Sequence, residues 1–385
     1  MVKISTNVAA VILAAGVSSR MGKFKPLLPL GNKTVIEQVV ATFLHAGVDD
    51  IRVVLGHKAR NVITVLENPA VSWHINDDFQ SEMFNSVKVG VGGLRHDSGS
   101  FFILPVDIPL VRPQTLQLLM GSLGEDPSQI IYPTFLGKRG HPPLIPRQYA
   151  GALARWSGNG GLKGFLEQYD NRSLEVPVFD EGILMDMDTP EQYGQIAARY
   201  ENRRIPLKTE CMAMMATRFS ENHPVVKHGR VVARVARDIG KKLVQAGCLV
   251  NIDLMEACGY LHDIGKGERD HAGSGAEILK NMGCPHIADI IACHMDLPFA
   301  DGGKITEKEV VYLADKLACG ENTLSLEQRL ESKLEQLSGN PEGQMAAEKR
   351  MRTAMKIKRA IETVSYTHLR AHETERLISY AVFCL

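Results

Sequence analysis

The chain has 385 residues, of which 44% are hydrophobic and 23% are charged, so it is long enough for two globular domains of ordinary composition. Its 44 basic and 44 acidic residues balance, which excludes a strong basic field for nucleic acid or an anionic membrane. No apolar run reaches the roughly 20 residues that span a bilayer. The 7 cysteines all lie in the second half and form no C-x-x-C pair. We therefore expect a cytoplasmic protein with reduced thiols and no nucleic-acid or membrane partner.

The first predicted element is an apolar β-strand at residues 11–13, which ends in the small-residue turn AAG at residues 14–16. A polar loop with the cations Arg20 and Lys25 follows the turn. An apolar strand with such a turn presents backbone N–H groups at the carboxyl edge of a parallel sheet, where phosphate groups can bind. The same pattern is also typical of an ordinary strand-to-helix turn with solvated basic residues.

Two well-known phosphate-binding patterns do not fit this loop. A Walker loop has four residues between its glycines and then Gly-Lys-Ser/Thr. Here Gly16 and Gly22 enclose five residues, and Phe24 follows Lys23. The dinucleotide fingerprint also fails, because no third glycine opens a helix at the required spacing. The second failure argues against a dehydrogenase.

The remaining pattern, LAAG-x-S-x-RMG-x-x-K-x-L at residues 13–27, resembles the MobA-like nucleotidyltransferase family. That family transfers a nucleotide onto molybdopterin, sugar phosphates or similar acceptors. The resemblance implies a nucleoside triphosphate substrate, with Arg20 and Lys25 as catalytic residues. The implied nucleotide-binding residues are Leu13, Ala14, Ala15, Gly16, Ser18, Arg20, Gly22, Lys25 and Ser86. Around Ser86 the family usually has a glycine where this chain has Glu82, and a capped core helix is the alternative there.

Strands and helices alternate along the rest of the first half. Predicted strands lie at residues 51–55, 71–75, 101–106, 130–135, 176–179 and 183–185, and predicted helices at 34–46, 61–66 and from Ser86 onward. This alternation indicates right-handed crossovers and a mostly parallel, Rossmann-like α/β sheet. We assign residues 1–200 to this domain.

Two aspartates lie at motif positions in this domain. Asp107 follows the most apolar strand in L-P-V-D-x-P, and Asp188 lies in D-x-D-T-P. Each is by itself typical of a helix cap, but the carboxyl end of a central parallel strand borders the crevice where such sheets bind ligands. The family resemblance implies that Asp107 and Asp188 hold Mg²⁺ and that Asp107 is catalytic. Catalysis would then rest on positioning and charge neutralisation.

Two further segments resemble the acceptor-binding elements of the family. G-x-x-G-H-P contains His141, which is either a ligand contact or a turn residue before two prolines. N-G-G-L contains Gly160 and Gly161, which permit close backbone approach. The resemblance implies a molybdopterin-type acceptor and, as further partners, molybdoenzyme maturation proteins. The attacking phosphate oxygen is already anionic, so the transfer needs no strong general base.

The second half is predicted to be all-helical. A charged, proline-bearing linker at residues 201–208 precedes a helical domain at residues 209–364. Its helices carry six potential metal ligands, each of which alone would more often be a surface or core residue. They are His228, His262, Asp263, His271, His294 and Asp315. Imidazole together with carboxylate suits Mn, Fe or Zn.

The order H…HD-I-G-K…H…H…D over residues 224–318 resembles the HD superfamily of metal-dependent phosphohydrolases. The resemblance implies that His228, His262, Asp263 and Asp315 bind one divalent metal. His271 and His294 would add a second metal, with Asp263 catalytic and bridging. Such a site activates water and clamps a phosphate ester, and Lys266 would contact the phosphate.

Residues 365–385 resemble a peptide translated from sequencing-adapter DNA, so we treat them as a non-native tail. The whole pattern predicts a bifunctional enzyme, in which a molybdenum cofactor cytidylyltransferase-like domain that uses CTP or GTP precedes an HD phosphohydrolase domain. One alternative is nucleotide transfer to a sugar or alditol phosphate. Another is an HD domain that senses a ligand without hydrolysing it.

Overall fold

The computed structural model describes residues 7–382 apart from 81, 96 and 125, with side chains described as far as residue 364. These residues form two compact units that divide between Arg203 and Arg204. The predicted non-native tail lies outside the residues whose side chains are described. Within the described part of the chain, no helix combines the length and the apolar character needed to cross a lipid bilayer.

The first unit is built on a mixed β-sheet. Its strands are β1 (Val8–Ala14), β2 (Pro29–Leu30), β3 (Lys33–Thr34), β4 (Asp50–Leu55), β5 (Val71–Ile75), β6 (Ser100–Pro105), β7 (Ile130–Phe135), β8 (Lys138–Arg139), β9 (Leu144–Pro146) and β10 (Ser173–Pro177). Eight of them form one sheet in the order β10-β7-β9-β6-β1-β4-β5 with β8 on β7, while β2 and β3 pair separately. The central strand β1 is buried along its whole length, as its continuous apolar sequence predicts.

The central pairings of this sheet are parallel. Strand β1 runs parallel to both β4 and β6, β4 to β5, and β10 to β7. The predicted mostly parallel α/β sheet is therefore confirmed. Strand β9 is the exception, because it runs antiparallel to β6 and β7. It lies in a proline-rich segment. Because proline is uncommon in regular strands, the sequence pattern did not predict a strand there.

Among the described residues of the first unit, seven α-helices accompany the sheet. They are α1 (Val35–His45), α2 (Ala59–Ile63), α3 (Met83–Gly92), α4 (Pro113–Gly121), α5 (Ala150–Arg155), α6 (Gly161–Glu167) and α7 (Pro190–Glu201). Helices α3, α5 and α6 contribute Phe84, Leu153 and Phe165 to one buried core with strand residues such as Val11 and Phe101. This core supports the sheet edge where β1 and β6 end.

One predicted strand is wrong. Residues 183–185 were predicted to be extended, but Glu181–Leu184 forms a short 3₁₀ helix. The cause is local, because the Asp180 side chain accepts a hydrogen bond from Gly182 N and starts a turn.

The second unit is helical, as predicted, with one short hairpin in addition. Its helices are α8 (Lys208–Ala216), α9 (Pro224–Gln245), α10 (Ile252–Leu261), α11 (His271–Asn281), α12 (Pro285–Ile291), α13 (Glu307–Leu317), α14 (Leu326–Gln336) and α15 (Pro341–Val382). The hairpin pairs β11 (Ala318–Cys319) with β12 (Asn322–Thr323). Helices α9 and α10 approach closely at Gly259, where an added Cβ would overlap the backbone of Ala233. The contact places the end of α10 beside the middle of α9.

We expect Gly90→Ala to destabilise the first unit by about 1–3 kcal/mol, because the added methyl group overpacks a closed site. A Cβ at Gly90 would overlap the side chains of Val11 and Val54, where α3 packs on β1 and β4. Urea unfolding followed by tryptophan fluorescence measures this, since both tryptophans of the chain, Trp73 and Trp156, lie in the first unit.

Gly92→Ala in the same helix is the matched control, because a Cβ there would have no heavy atom within 4 Å. We expect it to be neutral or to stabilise by up to about 1 kcal/mol. Equal effects of the two substitutions would contradict the proposed close packing of α3.

Candidate active sites

The loop after β1 is held by its own backbone. Ser18 and Gly22 have left-handed backbone angles, with φ of 57° and 66°, and they bracket a 3₁₀ turn at Ser19–Met21. Met21 is buried beneath this turn. The Ser18 hydroxyl accepts a hydrogen bond from Lys25 N at 3.1 Å. The turn is thereby anchored while Arg20 stays exposed.

Lys25 connects this loop to both predicted carboxylates. Its Nζ lies 2.9 Å from Asp107 Oδ2 and 2.6 Å from Asp188 Oδ1, and its side chain is only 11% exposed. Arg20 Nη1 approaches the other oxygen of Asp188 at 2.7 Å. Two carboxylates that share one ammonium group are close enough to share one cation. The donor set therefore fits the hard, oxygen-preferring Mg²⁺ ion.

The charges in this group support one another. Burial disfavours the Lys25 ammonium, but hydrogen bonds to Asp188 and Asp107 outweigh it and raise the pKa of Lys25. The hydrogen bond from Lys25 outweighs the partial burial of Asp188 and lowers the pKa of that carboxyl group. At neutral pH the site therefore holds a buried cation between carboxylates that include the ionised Asp188.

Backbone and side-chain hydrogen bonds position the two aspartates. Met187 N donates to Asp107 O at 3.0 Å, so the segments that carry Asp107 and Asp188 are joined. Thr189 is the N-cap of α7, and Gln192 Oε1 accepts from the backbone N–H groups of Asp188 and Thr189. Because Thr189 caps the helix, the Asp188 carboxylate is available to the site. The sequence analysis missed this role of Gln192, although T-x-x-Q is a capping-box pattern.

The three predicted acceptor residues line one cavity. His141, Gly160 and Gly161 border a space of about 640 Å³, together with Leu13 and Pro105 at the ends of β1 and β6. Its buried wall is apolar and aromatic, and its charged residues are the more exposed ones. The buried set comprises Leu13, Phe84, Val87, Ile103 and Tyr132, and the charged residues are Arg139, Lys163, Glu167 and Asp170. A ligand with an apolar face and polar substituents fits such a lining.

His141 is a neutral group at this cavity. Burial lowers the pKa of its imidazole, although the charges of Asp107 and Asp186 act in the opposite direction. Its Nδ1 is buried and has no hydrogen-bond partner among the described residues. A buried polar atom without a partner is costly, so this nitrogen lowers the stability of the folded domain.

The other predicted nucleotide-binding positions are less accessible. Leu13, Ala14 and Ala15 are buried, so a nucleotide would contact their backbone rather than their side chains. Ser86 lies in the first turns of α3, buried, and its hydroxyl accepts a hydrogen bond from Asn76 Nδ2 at 3.0 Å. Its nucleotide contact therefore stays a prediction.

In the second unit, five helices and the residues directly after them bring the six predicted metal ligands together. His228 comes from α9, Asp315 from α13, and His271 begins α11. The remaining three are His262 and Asp263, directly after α10, and His294, shortly after α12. They form two groups, His228 with His262 and Asp315, and Asp263 with His271 and His294. Within each group the potential ligand atoms lie within 4.8 Å of one another.

Asp263 lies between the two groups. Its Oδ2 is 3.6 Å from His262 Nε2, while its Oδ1 is 3.4 Å from His271 Nε2 and 3.5 Å from His294 Nε2. One carboxylate oxygen therefore faces each group. This arrangement fits the bridging role that the sequence resemblance implies.

Backbone carbonyls fix the imidazoles for ligation. His262 Nδ1 donates to Gly259 O at 2.9 Å, and His294 Nδ1 donates to Ile291 O at 2.6 Å. Each Nε2 is then free of that proton and can offer its lone pair. His262 Nε2 is buried without a hydrogen-bond partner among the described residues, and it is directed at Asp263 and Asp315. An unpaired imidazole nitrogen beside two carboxylates fits a divalent metal.

The protonation of this cluster also suits a cation. Burial lowers the pKa of His262 to about 4, against the opposing charges of Asp263 and Asp315. Burial disfavours the carboxylate of Asp315, but the nearby charge of Lys316, with the hydrogen bond from His228, outweighs it and lowers the pKa. Neutral imidazole and ionised carboxylate are the ligand forms that metals bind.

Lys316 contacts both candidate ligand groups, and the sequence analysis missed it. Its Nζ donates to Asp315 Oδ2 at 2.7 Å and to His294 O at 2.8 Å, so it ties the two ligand groups together. The sequence signal for it is a lysine directly after the predicted ligand Asp315, on a helix whose apolar face is buried.

Family comparisons agree with this division. Residues 10–173 match the model described as the MobA-like NTP transferase domain, and residues 225–319 match the HD domain. Both predicted resemblances are therefore confirmed.

Individual relatives were also found. Nicotine blue oxidoreductase from Paenarthrobacter nicotinovorans is 29% identical over 194 residues, which are 48% of this chain and 94% of that protein. Bifunctional protein GlmU from Marinobacter nauticus is 34% identical over 117 residues, or 30% of this chain and 25% of that protein. A solved nucleotidyl transferase from Methanothermobacter thermautotroptrophicus is 26% identical, with a TM-score of 0.45 and coverage of 51% of this chain and 98% of that one. The names of the first two relatives differ, so similarity to them does not determine which reaction this chain catalyses.

We expect the second unit to bind divalent metal and His262→Gln to lose at least half of the bound metal. The reason is that His262 offers a buried nitrogen that has no protein partner to replace the ion. Metal content after dialysis against Mn²⁺ or Zn²⁺, measured by plasma mass spectrometry, tests this. His286→Gln, an exposed histidine on α12, is the matched control. Full metal content in His262→Gln would remove His262 from the site.

Proposed function

We propose that this chain is a bifunctional enzyme, with one activity in residues 10–173, which match the MobA-like NTP transferase domain, and another in residues 225–319, which match the HD domain. The first domain transfers a nucleoside monophosphate from CTP or GTP to a molybdopterin-type acceptor. The second domain hydrolyses a phosphate ester. The observation that carries the proposal is a cation-binding carboxylate pair beside an apolar cavity in the first domain.

The Lys25 group supports nucleotidyl transfer. A phosphate oxygen of the acceptor attacks the α-phosphorus of the nucleotide, the bond to the β-phosphate oxygen breaks, and pyrophosphate leaves. Arg20 and the backbone of the loop would bind the triphosphate, while Lys25 would pass from the carboxylates to the phosphate oxygens. Asp107 and Asp188 would hold Mg²⁺, which supplies charge neutralisation at the phosphate oxygens. Positioning and charge thus carry the reaction without a general base.

The cavity supports a pterin-type acceptor over a sugar phosphate. A sugar site needs many polar side chains to satisfy hydroxyl groups. The buried wall of this cavity consists of Phe84, Tyr132 and aliphatic residues, and its charged residues, Arg139, Lys163, Glu167 and Asp170, lie on the more exposed side. A planar heterocycle would pack on the buried wall, and the charged side chains would bind its polar groups.

We expect Asp107→Asn and Lys25→Met each to lower kcat/KM for pyrophosphate release by about 100-fold or more, since each removes charge placed at the reacting phosphates. The assay contains molybdopterin with CTP or GTP, and released pyrophosphate is measured. Lys23→Met is the matched control, because Lys23 lies in the same loop and is exposed.

Two outcomes would change this assignment. An absence of pyrophosphate from both nucleotides would rule out molybdopterin as the acceptor. Pyrophosphate release with a sugar or alditol phosphate in its place would favour the alternative acceptor class.

The histidine–aspartate cluster supports hydrolysis in the second domain. In the reaction, water oxygen attacks phosphorus, the ester P–O bond breaks, and a proton passes to the leaving alcohol. His228, His262, Asp263, His271, His294 and Asp315 would hold one or two divalent ions, whose chemistry is water activation and charge neutralisation. Lys266 Nζ, 3.1 Å from Asp263 Oδ2 and half-exposed, is placed to contact a phosphate oxygen.

We expect Asp263→Ala to abolish metal-dependent hydrolysis, with a loss of about 1,000-fold or more, because Asp263 faces both ligand groups. A panel of phosphomonoesters and phosphodiesters measures the activity. Asp289→Ala, an exposed aspartate on α12, is the matched control. Unchanged turnover in Asp263→Ala would overturn the site. A different result would favour a sensor: the unmodified protein hydrolyses no phosphate ester, but metal binding to the second domain changes the transferase activity of the first.

A further inference from the structure

The second unit contains a cavity away from the histidine–aspartate cluster. It encloses about 770 Å³, a size typical of ligand sites. Its wall comes from residues 248–249 after α9, residues 299–305 before α13, and residues 356–364 of α15. The cavity borders the beginning of α13, whereas Asp315 lies roughly 12 Å further along that helix. None of the six candidate metal ligands lines it.

The first loop of this wall is a turn with fixed geometry. At the end of α9, Gly247 N donates to Val244 O and Cys248 N donates to Leu243 O, each at 2.9 Å. These bonds form the Schellman pattern, and Gly247 has the left-handed angle that it requires, with φ of 79°. The turn leaves the next residue, Leu249, 100% exposed where it lines the cavity.

The second loop is also held in place. Gly303 N donates to Ala300 O at 3.0 Å, which closes a turn. An added Cβ at Gly303 would overlap the ring of Phe299, so this ring packs on its own loop. Lys356 Nζ on α15 lies 3.1 Å from Asp301 Oδ1 and so joins α15 to the loop.

Hydrogen bonds connect the three segments through the helices beside them. Asn251 N, which follows the first loop, donates to Glu307 Oε1 at 2.8 Å at the start of α13. Tyr312 OH on α13 donates to Arg350 O on α15 at 3.1 Å. The parts of the unit that bound the cavity are thus bonded to one another, so a ligand can bind with little rearrangement.

The lining of the cavity has an apolar part and a charged part. The apolar side chains are Leu249, Phe299, Ile305 and Val364. The charged side chains are Asp301, Lys304, Lys356 and Arg359. Apolar surface that a ligand covers favours binding, and an aromatic ring offers a face on which a flat group can stack. The lining therefore suits a ligand that is itself amphipathic.

The cations outnumber the carboxylates in this lining. Asp301 is the one acidic residue among those that line the cavity, and it pairs with Lys356. Lys304 and Arg359 form no ion pair with a carboxylate within the part of the chain whose side chains are described. Two uncompensated positive charges at one cavity attract an anion, and an arginine with a lysine suits a phosphate dianion.

We propose that this cavity binds a small amphipathic anion, in which a phosphate group is attached to an apolar or aromatic body. Lys304 and Arg359 contact the phosphate oxygens, while the body of the ligand covers Leu249 and Phe299. The inference goes beyond the two proposed activities, and its test needs neither of them.

Protection of Cys248 tests where such a ligand binds. Cys248 lines the cavity and is partly exposed, and Cys293, also partly exposed, directly precedes His294 of the histidine–aspartate cluster. The probe is naphthyl phosphate, added to the chelator-treated full chain before N-ethylmaleimide, and peptide mass spectrometry measures the labelling of each cysteine. We expect saturating probe to slow labelling of Cys248 by about fivefold or more and of Cys293 by less than about twofold. Unchanged labelling of Cys248 would overturn the proposal.

The same readout tests the cations. The probe concentration that half-protects Cys248 reports the affinity of this cavity alone. We expect Lys304→Gln/Arg359→Gln to raise it by about tenfold or more. Lys280→Gln/Arg352→Gln, which removes two exposed cations outside the cavity, should change it by less than about twofold. Equal half-protection in the two double variants would remove Lys304 and Arg359 from the site.

The apolar contact has its own test. We expect Leu249→Ser to raise the half-protecting concentration by about fivefold or more, while Val244→Ser, at an exposed apolar position outside the cavity, changes it by less than about twofold. Because Leu249 is fully exposed, its loss should leave the fold intact, which circular dichroism checks. Inorganic phosphate and naphthol should each need about tenfold more ligand than naphthyl phosphate. Equal protection by inorganic phosphate would contradict the amphipathic ligand class.

Discussion

The pairing of the Lys25 ammonium group with two aspartates is the interaction on which the candidate active site of the first unit depends. It binds two carboxylates that lie 82 and 163 residues further along the chain, and it does so at a largely buried position. Without this cation, Asp107 and Asp188 would face each other at a site with reduced solvent screening. The same charge arrangement is suited to exchange, since a divalent ion can replace the ammonium group between the carboxylates while the lysine contacts phosphate. The sheet makes this possible because β1 and β6 are parallel neighbours and end at one edge.

The second unit uses the same physical principle with different groups. Its buried imidazoles are neutral and have fixed orientations, because backbone carbonyls accept their Nδ1 protons. Lys316 neutralises Asp315 and also holds the backbone of His294. Both sites therefore place a lysine against the aspartates that are proposed to hold a metal. A buried cluster of this kind gains its stability from mutual pairing, so removal of one member leaves the others uncompensated.

Most of the candidate site residues could be proposed from motifs, but their contacts could not. The segment around Asp107 was recognised by L-P-V-D-x-P and that around His262 by HDIGK. By contrast, the hydrogen bond from Lys25 to Asp188 joins residues that are 163 positions apart in the sequence, and no local pattern predicts it. The apolar residues 183–185 resemble a strand and are predicted as one, but the Asp180 cap starts a 3₁₀ helix at Glu181–Leu184.

The sequence by itself determined the division into an α/β part and a helical part, because hydrophobic periodicity is a local property of the chain. It also determined which residue types were available for phosphate and metal chemistry. Only the tertiary structure decided which of them share a site. The antiparallel insertion of β9 between β6 and β7, the cavity beside His141, and the approach of Arg329 to Cys319 are long-range or packing effects. Such contacts arise from how elements bury their apolar faces against one another, which spacing along the chain does not specify.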